Sequence, residues 1–169
     1  MKLFIVGIDP GINGGIVSLV NNKIITITDM PSNFKGILEH FIFLGFPNMI
    51  KKEETYVYME NVHSRPTDSR VGAFSFGRHH GHLDSVFNSL DVTPILVSPQ
   101  RWMEYFNIKR DKGESKYSYK KRLLEMGRLL ARGTKFQLTL KTCDAYLIAL
   151  YGYNQQLTKR KKSNEDSAL

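Results

Sequence analysis

The opening thirty or so residues constrain this chain most, because three strand-prone runs follow one another with only tight turn clusters between them. Residues 2–8 are rich in Leu, Phe, Ile and Val, as a central strand buried on both faces must be. Asp9-Pro-Gly-Ile-Asn-Gly-Gly is a turn cluster, residues 16–20 a second strand, and Asn21-Asn22 a hairpin signal before a third strand over residues 23–28. An antiparallel meander therefore opens the fold. MKLFIVGIDPG reads as a buried strand rather than a secretion signal, since Asp9 and Pro10 close the apolar run before any small-residue cleavage site.

The pattern then changes period. Ser32 is placed to cap a helix over residues 33–44, where Phe34, Ile37, Leu38 and Phe41 recur at helical spacing before Gly45-Phe-Pro-Asn breaks it. Residues 55–60 form a β-branched and aromatic strand ending in an acid, followed by a polar loop over 63–70. A helix over 72–90, a fifth strand over 93–97 and a short helix over 99–106 come next. Residues 107–114 are charged and contain Gly113, so a mobile loop is expected there before an amphipathic helix over 116–131 and an apolar one over 140–154. Strands in hairpins followed by alternating helices and strands give an α/β fold, a mixed five-stranded sheet flanked by helices. One domain over residues 1–155 and a basic, disordered tail over 156–169 are expected.

Charge narrows the partner. The chain carries a formal +8, with Lys and Arg crowded between Lys109 and Arg132 and again at Lys159-Arg-Lys-Lys162. Such an excess favours a polyanion, whose phosphates supply affinity. No apolar run approaches the roughly 20 residues of a membrane span, and lone Cys143 excludes an internal disulfide and fits a reducing, cytoplasmic compartment.

Three acids fall where this architecture gathers them. Asp9 ends the first strand, and Glu60 ends the fourth, which lies beside it in such a sheet. Asp144 opens the last helix, with Leu147, Ile148 and Tyr151 marking the buried side at i+3, i+4 and i+7. Taken singly, each acid also suits a turn, a solvated strand end or a helix dipole. Converging carboxylates repel unless cations neutralise them, and their oxygens suit hard ions such as magnesium or manganese. Two such ions about 4 Å apart would serve phosphodiester cleavage.

Five segments carry a family resemblance. Val6-Gly-Ile-Asp-Pro-Gly with Gly14-Gly15 resembles the opening motif of the RuvC-type Holliday junction resolvases, of the RNase H-like superfamily. Met59-Glu-Asn-Val-His63 and Phe74-Ser-Phe-Gly-Arg78 with Gly81 are similar to segments of the bacteriophage branch. Val97-Ser-Pro-Gln-Arg-Trp102 and Asp144-Ala-Tyr-Leu-Ile-Ala-Leu-Tyr-Gly152 resemble later blocks, so the likeness spans Leu3 to Gly152. It implies a homodimeric, magnesium-dependent endodeoxyribonuclease of branched DNA (four-way junctions, forks and flaps), working in a host bacterial cytoplasm. It also implies Asp9, Glu60 and Asp144 as metal ligands, with manganese able to substitute. One departure stands out: where such sites carry another acid or histidine about a turn before the last acid, this chain has Thr-Leu-Lys-Thr-Cys over 139–143. Lys141 either replaces a metal charge, points away or reflects an altered protein.

The basic segment supplies the remaining candidates. Lys109, Arg110, Lys112, Lys116 and Lys120 are expected to meet DNA phosphates, together with Arg78. By position Lys116 resembles a lysine the family places near its catalytic centre, with Lys112 as competitor. His63 either contacts the scissile strand or is an exposed loop residue. His79, His80 and His82 lie too close in sequence to face one zinc ion from a helix. Phe74 and Phe76 are read as dimer or core residues, Gly77 and Gly81 as a helix-contact pair at the dimer seam, and Trp102 as core. The basic cluster at 159–162 is either a solvated end, a targeting signal or a DNA-binding tail. Two rival functions remain: a branched-DNA-binding protein with a decayed site, and a nucleotide-binding domain of the actin and sugar-kinase type. The latter needs two such domains, and no Gly-x-x-x-x-Gly-Lys-Ser/Thr loop is present.

Overall fold

A computed structural model describes residues 2–48, 54–63 and 69–166. The meander forms as its turns require: β1 (Leu3–Asp9), β2 (Gly15–Val20) and β3 (Lys23–Asp29) pair antiparallel in sequence. Asn21 and Asn22 take φ of 45° and 67°, the left-handed conformations of a tight hairpin, and Asn21 Oδ1 accepts from Leu3 N at 3.0 Å. Beyond helix α1 (Phe34–Phe43), strand β4 (Glu54–Glu60) joins β1 in parallel, and β5 (Ile95–Val97) joins β4. The sheet order is β3-β2-β1-β4-β5, so β1 is central. The remaining helices are α2 (Arg70–Leu90), α3 (Pro99–Tyr105), α4 (Lys116–Leu130) and α5 (Cys143–Asp166).

The period of two in the strands sorts the core onto two faces. Phe4, Val6 and Ile8 point with Val57 and Met59 into a cluster closed by Ile37 and Phe41 of α1 and Leu83, Val86 and Phe87 of α2. Leu3, Ile5 and Tyr58 point the other way, against Trp102 of α3, Leu123 of α4 and Ala145 to Leu150 of α5. Helix α5 is buried on every side from Cys143 to Leu150 because it lies between the sheet and α4. Small residues let it settle. A Cβ on Gly7 would stand 2.3 Å from Ala145 O and 2.4 Å from Ala149 N, and one on Gly152 would stand 2.4 Å from the Tyr58 ring.

Three local readings are corrected. Asn33, not Ser32, caps α1, its side chain accepting from Gly36 N at 2.9 Å. The segment before α4 is tied down: Arg122 reaches Lys109 O at 2.6 Å and Glu114 Oε2 at 2.8 Å, and Arg110 Nε donates to Glu114 O at 2.8 Å. The expected disordered tail is instead a continuation of α5 through Asp166. The polar composition concealed one buried stripe. Gln156 donates to Tyr58 Oη at 2.7 Å, Leu157 packs on the core, and Arg160 Nε donates to Glu54 Oε2 at 2.6 Å. Most of the polar loop over 63–70 lies outside the described residues.

Candidate active site

Strand register places the first two acids. Ile8 faces Met59 across the parallel β1–β4 pair, so Asp9 and Glu60 follow as neighbours at the carboxyl ends of the two central strands. Both share the period-two face of Leu3, Ile5 and Tyr58, the face that α5 covers. The first turn of α5 brings Asp144 to the same end, fixed by the close seat of Ala145 and Ala149 on Gly7. A Cβ on Gly14 would lie 2.0 Å from Asp9 O and 3.1 Å from Asp9 Cγ, so only glycine lets the β1–β2 turn fold tightly behind that carboxylate.

The carboxylates feel one another. Burial, then Asp144 and Glu60, raise the Asp9 pKa well above its ordinary value, against an opposing pull from Lys120. Burial also raises Glu60, offset in part by the Trp102 indole N–H, which donates to Glu60 Oε1 at 2.9 Å. Trp102 is therefore core, as expected, but its polar edge holds an acid. Asp144 Oδ2 accepts from the Lys120 ammonium, while Asp144 Oδ1 is buried and lacks a hydrogen-bond partner. Burial disfavours the Lys120 ammonium, yet Asp144, Asp9 and Glu60 outweigh it and raise its pKa.

Among the described residues, no three His, Cys, Asp or Glu side chains are grouped so as to hold a metal ion between them. The three carboxylates are coupled at one end of the sheet, with an ammonium on one of them. Their donor chemistry is of the kind a hard cation takes, since all are carboxylate oxygens, repulsion at Asp9 outweighs the pull of Lys120, and one buried oxygen of Asp144 has no donor; their present spacing does not close around one point.

A cleft of about 770 Å³ opens over Asp9. The β1–β2 turn from Pro10 to Gly14 lines one side, Gly72, Ser75 and Phe76 of α2 another, and Lys116 and Lys120 of α4 a third. Lys116 and Lys120, one turn apart, share this face of α4. The solvated, DNA-facing position expected of Lys120 is thus corrected: it points inward onto Asp144, while Lys116 lies exposed at the mouth. Sequence reading missed this because the apolar stripe alone does not say which flanking lysine faces the acids. Lys141 lines the cleft but turns its ammonium to exposed Asp29 at 3.1 Å. It points away from the acids.

The other candidates divide. Lys109, Lys112 and Arg78 are exposed, as is His63 just past β4. Arg110 is exposed too, but its guanidinium is engaged by the Glu114 carbonyl. His79 is buried, and His80 Nδ1 lies 3.2 Å from Asp84 Oδ2. Cys143 is buried in the α4–α5 contact, where burial and Asp144 push its thiol up to about 12 and leave it protonated at neutral pH. Phe74 stands 71% exposed and Val71 79% exposed at the start of α2, so Phe74 is not core.

No protein-family description matches the chain, and no curated protein matches it by sequence. Solved structures do match by shape. Thermus thermophilus RuvC in complex with a Holliday junction substrate aligns with a TM-score of 0.57 at 13% identity, covering 91% of this chain and 96% of that one. A second Thermus thermophilus RuvC structure aligns with a TM-score of 0.53 at 16% identity, covering 92% and 96%. The chain has the RuvC-type, RNase H-like fold: a mixed five-stranded sheet with helices on both faces.

Proposed function

We propose that this chain is a metal-dependent endodeoxyribonuclease that resolves four-way junctions and related branched DNA. The observation that carries the reading is the electrostatic influence of Asp144 and Glu60 on Asp9 at one end of the sheet, with a cleft walled by lysines opening over Asp9. A RuvC fold matched to a protein bound to a Holliday junction substrate supports the same reading, as does the +8 charge.

In this proposal Asp9, Glu60 and Asp144 hold magnesium, with manganese able to substitute. An ion held by them would supply the activation of water and the stabilisation of charge on the phosphodiester oxygens. The protein's own groups do the rest. Trp102 fixes the orientation of Glu60, Gly14 leaves room behind Asp9, and the seat of α5 on Gly7 sets the level of Asp144. Lys116 at the cleft mouth meets a DNA phosphate, with exposed Lys109 and Lys112 extending the basic approach. The products are 5′-phosphate and 3′-hydroxyl ends. The exposed apolar start of α2, with Gly77 and Gly81 beyond it, is the surface we assign to a homodimer. The phage-like segments at 59–63 and 74–81 carry a phage-type assignment, and with it a bacterial cytoplasm as the place of work.

The second reading, a junction-binding protein without cleavage, is favoured by the Lys120 ammonium on Asp144 and by the fact that, among the described residues, no three acids close around a point. A synthetic four-way junction separates the two. We expect nicking with magnesium and none with EDTA, and Asp9→Asn should stop cutting yet keep retarding the junction. Retarded but uncut DNA with magnesium would establish the binding protein instead.

A further inference from the structure

The cleft over Asp9 is not lined as a groove for phosphate alone would be. Four large apolar side chains reach it from four separate stretches of chain: Ile12 from the β1–β2 turn, Phe76 from α2, Tyr117 from α4 and Leu140 from the segment before α5. Ile12 is 54% exposed, Tyr117 61% and Leu140 41%, and none of the four belongs to either core cluster of the described residues. A single exposed apolar residue is ordinary. Four converging on one concave surface mark a place where something flat or apolar is held.

The same wall carries positive charge. Lys116 lines the cleft, and the Lys121 ammonium stands 5.0 Å from the centre of the Tyr117 ring. Residues 117 and 121 lie one turn apart on α4, so the cation covers the ring without leaving its own helix. The occupant must therefore be anionic at one end and apolar at the other, and the volume of about 770 Å³ has room for such a body. An unstacked nucleotide meets both demands, with its phosphate for the lysines and its base for the apolar wall. A base inside a duplex does not, because stacking hides its faces and leaves only its edges in the grooves.

We propose that this cleft is a subsite for one unpaired nucleotide: Tyr117, with Phe76, Ile12 and Leu140 around it, holds the nucleobase by its face, while Lys116 and Lys121 take the adjoining phosphate. The proposal rests on the nuclease reading and narrows its substrate to branched DNA that offers an extrahelical nucleotide. Every base has a π face, so the subsite selects for the absence of pairing rather than for sequence. Extruding a paired base costs unstacking and unpairing, and an already unpaired one escapes most of that cost. Loss of one stacking platform weakens binding on the order of 10-fold.

The test is a ratio of affinities, measured by gel retardation in EDTA so that cutting plays no part. Two four-way junctions are compared with the full chain, alike except that one carries a single unpaired nucleotide at the crossover. The unaltered protein should bind that junction about 10-fold more tightly. Tyr117→Phe should keep the ratio, and Tyr117→Ser should bring it close to one. A fluorescent purine analogue at the unpaired position should be quenched by the unaltered protein and by Tyr117→Phe, and not by Tyr117→Ser. No preference in the unaltered protein would overturn the proposal. So would a ratio unchanged in Tyr117→Ser, or a dimer that dissociates in that variant, since a second copy of the chain would then be the occupant. Cutting with magnesium is scored separately: a preserved ratio with uncut junctions removes the nuclease and leaves the subsite standing, whereas cutting without any preference removes the subsite alone.

Discussion

Replacing Gly7 by alanine tests how the candidate site is held together. The added Cβ would stand 2.3 Å from Ala145 O, 2.4 Å from Ala149 N and 2.6 Å from Ala149 Cβ. Favourable separations between carbon atoms are about 3.5–4.0 Å, so α5 must retreat from β1 by roughly 1 Å. Two of the three neighbours are helix backbone, and no rotamer change can relieve them. Overpacking of this kind costs about 1–3 kcal/mol, and the upper end applies where the obstacle is rigid. For a chain of this size, about 3 kcal/mol lowers the melting temperature by roughly 6–12 °C.

The same shift acts on the site. Gly7 lies two residues before Asp9, and Ala145 follows Asp144 directly, so the retreat widens the gap between the two acids. A misplacement of about 1 Å can cost roughly 100-fold in rate. Urea unfolding should show the stability loss, and cutting of a four-way junction at saturating DNA should show the rate loss. A Gly7→Ala protein within about 0.5 kcal/mol of the original would refute the packing argument. Normal cutting in a clearly destabilised protein would refute the link between that seat and the acids.

Three further outcomes are expected. Burial and the neighbouring Asp144 and Glu60 raise the Asp9 carboxyl, so the folded protein holds a proton there that the unfolded chain has lost; stability in EDTA therefore falls as pH rises from the ordinary carboxylate value through the raised one. Asp9→Asn should melt higher than the original at neutral pH in EDTA, with the difference vanishing below the ordinary carboxylate range; thermal scans across pH check both limbs. Lys141→Ala should change stability by less than about 1 kcal/mol and leave junction cutting nearly intact, because its ion pair with Asp29 is about half exposed on both sides. Ending the chain after Gln155 removes the donor to Tyr58 Oη and the Arg160–Glu54 pair, and should lower the urea midpoint by the equivalent of about 1–3 kcal/mol.

The sequence alone determined the local grammar of this protein. The meander was legible because Asn21-Asn22 and the Asp9-to-Gly15 turn permit only short connections, and helix positions followed from the spacing of apolar residues. Asp9 and Glu60 were legible as strand-end acids because a period of two puts each on the face of its strand's alternate residues. The direction of Lys120 was not legible. Three other cations, Lys116, Lys121 and Arg122, lie within one turn of it, and only the crossing of α4 over the first turn of α5 selects the one that meets Asp144. The tail misled for a related reason: its polar composition conceals Gln156, whose partner lies 98 positions away on β4. Local patterns report which backbone conformations are cheap, whereas the pairing of side chains distant in sequence is settled only when the helices are seated on the sheet.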